Sequence, residues 1–254
     1  MINATIELMH RHGSVRAYKP DPVPREMIET IVAAGQRAAT SSNLQLYSVV
    51  VVTDPGERAE MQRYCGGQRH ISQAPVFLTW CADLSRLERI SPSLGRTQQA
   101  GSAENFTLAA MDVAIAAQNA VLAAESLGLG TCYIGAIRNS PREVIRMLAL
   151  PRLVFPLVGM TLGWPLEAPL IRPRLPQEAI LHWGRYQPEG EQEPLAQYDQ
   201  EMIATGIYAG RQVKADDPLP VEAYGWREHS TRRVSQVLRP HLRAVLNEQG
   251  FEFK

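Results

Sequence analysis

Between Ala103 and Leu127 the chain carries its most constraining feature, a helical stretch with eight alanines between Phe106 and Leu127 and apolar residues on nearly every face. A helix apolar all round is buried on all sides. A chain of 254 residues offers little to bury such a helix within one subunit, so a dimer interface is the economical expectation. Gly128 supplies the cap that ends it.

Tyr47–Thr53 (YSVVVVT) is a β-branched run bounded by Asp54-Pro55-Gly56 and predicts a strand. Val76–Ala82, Thr131–Ile134 and Leu157–Leu162 predict three more. Helical spacing marks Thr5–His10, Arg25–Ala38, Glu57–Tyr64, Pro194–Thr205 and Thr231–Gln249, while Arg86–Ser102 is polar and reads as irregular and mobile. Strands and helices alternate without a strict βαβ rhythm, which favours an α+β layered fold over a doubly wound parallel sheet. After Trp164-Pro165 prolines become frequent. We expect one domain over 1–254, with 185–254 as an extension that wraps the core or a partner, because it has too few apolar residues for a core of its own.

Composition narrows the function. Lys plus Arg and Asp plus Glu are both 26, so no basic excess points to nucleic acid. Three scattered cysteines, Cys65, Cys81 and Cys132, form no CxxC pair and suit a reducing compartment. The N-terminus lacks the pattern of a secretory leader, and the expectation is a soluble cytoplasmic protein with no membrane partner. No GxGxxG follows a strand, and neither a P-loop nor a GxSxG elbow occurs. The histidines form no HExxH, so no metal site is expected.

Four constellations remain, each with two readings. His12-Gly13-Ser14-Val15-Arg16 offers a hydroxyl and a guanidinium fork for an anion or a polar ring edge, or is a solvated loop. Arg172-Pro173-Arg174 is held extended by its proline, so residues i and i+2 point the same way. The two guanidiniums then sit side by side and invite a phosphate, or form a basic surface loop. Gly128–Arg138 (GLGTCYIGAIR) ends the long helix, runs through a short strand and turns, presenting amides to a ligand or only making the turn. Gly66-Gly67-Gln68-Arg69-His70 permits close backbone approach, or is a helix cap.

Taken together and in order, these pieces carry a resemblance. The opening TIEL with HGSVRAY, then GGQRH, AAESLGLG, CYIGAIRN, LGWP, RPRLP and LAQYD at Leu195–Asp199 resemble the nitroreductase family, in its NADPH-preferring oxygen-insensitive nitroreductase and flavin reductase branch. The likeness spans roughly residues 4–200. It implies a central, mostly antiparallel sheet flanked by helices in an intertwined homodimer, with FMN bound by both subunits at their interface. It places His12, Gly13, Ser14 and Arg16 on FMN, with Arg16 stabilising the reduced flavin electrostatically. Thr40, Ser41 and Ser42 match a loop that contacts the flavin from the partner subunit. Gln68 and the segment Tyr133, Ile134, Gly135 and Ala136 match further flavin contacts, and Arg172 and Arg174 match the pair that grips its phosphate.

The resemblance also implies NADPH as electron donor and a small-molecule oxidant such as a nitroaromatic, quinone or free flavin. Both would react in turn at the flavin N5, with no catalytic acid or base from the protein. Asn43 and Arg138 fall at the substrate side. Arg211, and after it Arg232 or Arg233, are the candidates for the nicotinamide 2′-phosphate. The chain departs from the branch at Gly13, where arginine is usual, at Ala136, where a second glycine is common, and at Asn43, where a bulky apolar residue is usual. The alternative is a non-catalytic flavin-binding or regulatory protein on the same fold.

Overall fold

The four strands form one sheet. They are β1 (Tyr47–Val52), β2 (Val76–Asp83), β3 (Gly130–Ile134) and β4 (Val154–Gly163), in the order β1-β2-β4-β3 with every neighbour antiparallel. The fold is therefore α+β and layered, as the broken βαβ rhythm predicts. Strand β2 is buried along its whole length and shows the period of two expected there: Val76, Leu78 and Trp80 join one core cluster and Phe77 another. Gly159 on β4 leaves the room that the Phe77 ring fills.

This computed structural model describes residues 2–214 and 219–253. They group into two compact units, one of Met1–Leu170 with Arg239–Lys254 and the other of Ile171–Leu238. In the first unit, helices α1 (Ala4–His10), α2 (Arg25–Gly35), α3 (Pro55–Tyr64), α4 (His70–Gln73), α5 (Ser85–Ile90), α6 (Ala103–Ser126) and α7 (Pro141–Met147) surround the sheet. α2 and α6 cover one face, through Ile28, Ile31, Val113, Ala116, Ala117 and Ala120. Met61, Ile71 and Val144 of α3, α4 and α7 pack on the other. α6 ends as its sequence predicts: Gly128 is left-handed (φ 81) and Leu129 N donates to Ala124 O.

Within this chain α6 is not buried on all sides. Small residues and Asp112 face inward, while Met111 and Ile115 are 52% and 41% exposed on the opposite side. Length and composition alone would let this helix cross a membrane. Its inner face instead packs on α2 and the sheet.

Arg86–Ser102 is not irregular throughout: α5 and a 3-10 turn at Ser91–Leu94 occupy its first half, with Leu87 packed against the core and Glu88 paired with Arg152. Thr231–Gln249 is two helices, α9 (Trp226–Ser235) and α10 (Leu242–Glu248). Pro240 lacks an N–H and restricts the residue before it, and Arg239 turns left-handed (φ 53). α10 belongs to the first unit, where Val245, Leu246 and Phe251 enter the core.

The second unit holds α8 (Gln192–Ala204) and α9. Asp199, the last residue of LAQYD, is buried and accepts from Arg227 N at 2.8 Å, capping the start of α9. Tyr208 stacks on His229, and Tyr224 meets both edge to face.

Candidate functional site

Two carboxylates of α6 tie down the loops that the sequence singles out. Near its end, Glu125 Oε1 lies 2.6 Å from His12 Nδ1, both groups mostly buried. Nearer its start, Asp112 is 2% exposed; its Oδ2 accepts from Thr40 Oγ1 at 2.7 Å and Leu46 N at 2.9 Å, and its Oδ1 from Ser41 N at 3.3 Å. Neither carboxylate is signalled by the sequence pattern. The two anchor points are thirteen residues apart, about 20 Å along the helix axis at about 1.5 Å per residue. One chain thus holds the His12–Arg16 segment and the Thr40–Asn43 loop at separated positions.

Around the first anchor several predicted residues gather. Val15 N donates to Thr131 O at 2.9 Å, laying the 12–16 segment beside β3. Gly13 is buried, and a Cβ there would lie 2.8 Å from Pro169 Cβ, so the space an arginine stem would need is taken. Tyr133 is partly exposed; burial raises its hydroxyl pKa, and the Glu125 charge adds to the effect. Ile134 is buried, and Gly135 and Ala136 open a 3-10 turn, Gly135–Asn139, whose first amides lack partners within the turn.

Arg16 is exposed, with its Nη1 3.4 Å from Ser14 O and no carboxylate partner among the described residues. Its charge reaches His70, a buried histidine whose pKa is lowered first by desolvation and then by Arg16. His70 Nε2 is buried and has no hydrogen-bond partner among the described residues. Gly66 and Gly67, both left-handed (φ 77 and 74), turn the chain back so that the half-buried Gln68 donates to Cys65 O at 3.0 Å. The knots around Arg16 and His70, far apart in sequence, are thus neighbours in space.

Arg138 is half-buried and committed to Leu157 O; burial lowers its pKa, and the Arg239 charge lowers it further. Ser42 and Asn43 are exposed and left-handed (φ 49 and 55).

In the second unit, Arg174 Nη1 donates to the carbonyls of Arg172 and Pro173. Burial raises the Tyr198 hydroxyl pKa, and the charges of both Arg174 and Arg172 act against that, so both guanidiniums lie near this ring. Arg211 and Arg233 line one cavity of about 630 Å³ together with Lys214, His229, Gln212 and Gln236. Arg232 is instead buried, paired with Glu228 and placed over the Tyr224 ring.

The nitroreductase family profile matches residues 9–68 and 60–164, and that of its C-terminal domain matches 172–254. This chain belongs to the nitroreductase family. As a nitroreductase-family chain it is 38% identical over 250 residues to an oxygen-insensitive NADPH nitroreductase of Salmonella typhimurium, covering 98% of this chain and 99% of that one. It is 36% identical over 248 residues to a Cr(VI) reductase of a Pseudomonas species, with 98% and 99% covered. Among solved structures it is similar to the NADPH:FMN oxidoreductase of Vibrio harveyi complexed with NAD+, at a TM-score of 0.86 and 36% identity over 98% of both chains.

Arg16, an exposed guanidinium with no carboxylate partner among the described residues, is a donor fork that suits an anionic or polar-edged group such as FMN.

Proposed function

We propose that this nitroreductase-family chain is an FMN-dependent NAD(P)H oxidoreductase that passes electrons from NADPH to small oxidants such as nitroaromatics, quinones or free flavin. Bound FMN would supply the hydride-transferring centre. The chain's own residues would bind and bias it. Arg16 would place positive charge where the reduced flavin becomes anionic. Ser14, Gln68 and the amides at Tyr133–Ala136 would orient the ring, and His12, fixed by Glu125, would bound the same pocket. Arg172 and Arg174 would hold the phosphate. With no separate dinucleotide fingerprint, NADPH and oxidant would take turns at one site. Three buried free thiols suit the reducing cytoplasm we assign to it.

The observation that carries the reading is the 20 Å or so between the two α6 anchors. Thr40–Ser42 then serve a flavin held mainly by the other subunit of a homodimer, with the exposed Met111 and Ile115 in the interface. Sedimentation at micromolar concentration should give a dimer, and the purified protein should be yellow.

Changing Arg172 and Arg174 to alanine removes two contacts of about 1.5–3 kcal/mol each, weakening FMN binding roughly 10²- to 10⁴-fold. A double variant that keeps its flavin through dialysis refutes the phosphate assignment. Steady-state NADPH oxidation with an added quinone should give parallel double-reciprocal lines. A flavin-loaded protein without turnover would mark a non-catalytic flavin binder.

A further inference from the structure

The loop from Thr40 to Leu46 contains no glycine, yet Ser42, Asn43 and Gln45 all adopt left-handed conformations (φ 49, 55 and 53). Asparagine tolerates this region; serine and glutamine carry a steric penalty there. Such strain persists only where surrounding structure over-determines it. Here one buried carboxylate ties down both ends of the loop, and Arg86 Nη1 also donates to Gln45 O at 3.1 Å. Asp112 receives the Thr40 hydroxyl and Ser41 amide at the start of the loop and the Leu46 amide at its end, which closes the loop onto α6. The Thr40 hydroxyl in turn accepts from Gln45 N at 2.9 Å. Met111 and Ile115, exposed on the outer face of the same stretch of α6, flank this carboxylate in sequence.

We propose that Asp112 is a positioning residue for the flavin site: it holds Ser41, Ser42 and Asn43 in a strained geometry that presents them to the cofactor and to the mouth through which the oxidant enters. The proposal rests on the reading that Thr40–Ser42 meet FMN. Asp112 itself is buried beneath the loop and acts only through it.

Asp112→Asn keeps the side chain's size but replaces one accepting oxygen with an amide donor, so the three bonds cannot all form. In this variant, FMN titrated into the apoprotein should bind with a dissociation constant raised about tenfold or more. Hydrogen exchange at the Ser41 and Leu46 amides should quicken, and KM for a quinone should shift more than kcat. Thr40→Val should weaken FMN in the same direction, and Thr40→Ser should restore it. Ser41→Ala serves as the control for the loop itself. Unchanged FMN affinity in Asp112→Asn, with weakened affinity in Ser41→Ala, would overturn the proposal and leave the loop at the flavin. Unchanged affinity in both would remove the loop from the flavin and take the proposal with it. Should Asp112→Asn fail to fold, Thr40→Val decides, and an unaltered dissociation constant there overturns the proposal.

Discussion

His12 Nδ1 and Glu125 Oε1 are 2.6 Å apart, joining a loop near the N-terminus to the last turn of the longest helix. A carboxylate only accepts, so His12 in its neutral form carries its proton on Nδ1. Nitrogen NMR of the native protein should show that tautomer at His12. Glu125→Ala should release it and lower stability by about 1 kcal/mol, a charge-assisted bond discounted for partial exposure. An Nε2–H tautomer in the native protein would refute the arrangement.

Gly13→Ala tests a packing constraint. The new Cβ would lie 2.8 Å from Pro169 Cβ and 3.0 Å from Leu170 O. Overpacking of this kind costs about 1–3 kcal/mol, read as a lower urea midpoint. Gly13→Arg should be no better than alanine, and pairing Gly13→Ala with Pro169→Gly should recover part of the loss. Equal midpoints for native and Gly13→Ala would mean that the 169–170 segment yields freely.

The second unit separates Arg232 from Arg233, which the sequence ranks together behind Arg211. Arg211 and Arg233 share a cavity, so replacing either with alanine should raise KM for NADPH about tenfold and leave NADH nearly unaffected. Arg232 is buried over Tyr224 and paired with Glu228. Its loss should appear in the melting temperature without any selective effect on NADPH. If Arg232→Ala alone changes the ratio of the two nicotinamides, the assignment is wrong.

His70 predicts a pH dependence. Its folded pKa lies below the ordinary 6.5 because burial, and then Arg16, disfavour the imidazolium. The unfolded chain therefore binds the extra proton first. Stability is unaffected well above 6.5, falls as pH drops through that value, and levels off below the folded pKa. Melting the apoprotein at about pH 8 and about pH 5 should show a larger loss for the native chain than for His70→Gln. A variant as acid-sensitive as the native chain would show that His70 does not carry the effect.

The sheet and α6 were legible because their signals are local: β-branched runs bounded by turn residues, and an alanine-rich stretch closed by glycine. α5 was not, because Arg86, Glu88 and Arg89 look like loop when the core-packed Leu87 is the only apolar residue between them. The helical spacing of Thr231–Gln249 runs across the break between α9 and α10, where Pro240 sits. The candidate ligand-facing residues could be named from motifs. The groups that hold them could not: Asp112 and Glu125 find their partners 66 to 113 positions away, and a carboxylate in an apolar helix carries no local mark of what it will bind. Arg232 and Arg233 are adjacent in sequence, and only the rotation of α9 decides which one is buried.

Because Asp112 and Glu125 lie on one unbroken helix, α6 is a ruler between the two loops that they fasten. Adding or deleting one residue between them would turn one anchor by about 100° relative to the other and move it by about 1.5 Å. Neither loop could then keep its carboxylate without the other losing register. Changes of side chain along the outer face of this helix leave the ruler intact, but changes of its length do not. Insertions and deletions tolerated elsewhere in the chain should therefore be absent from the interval between these two residues.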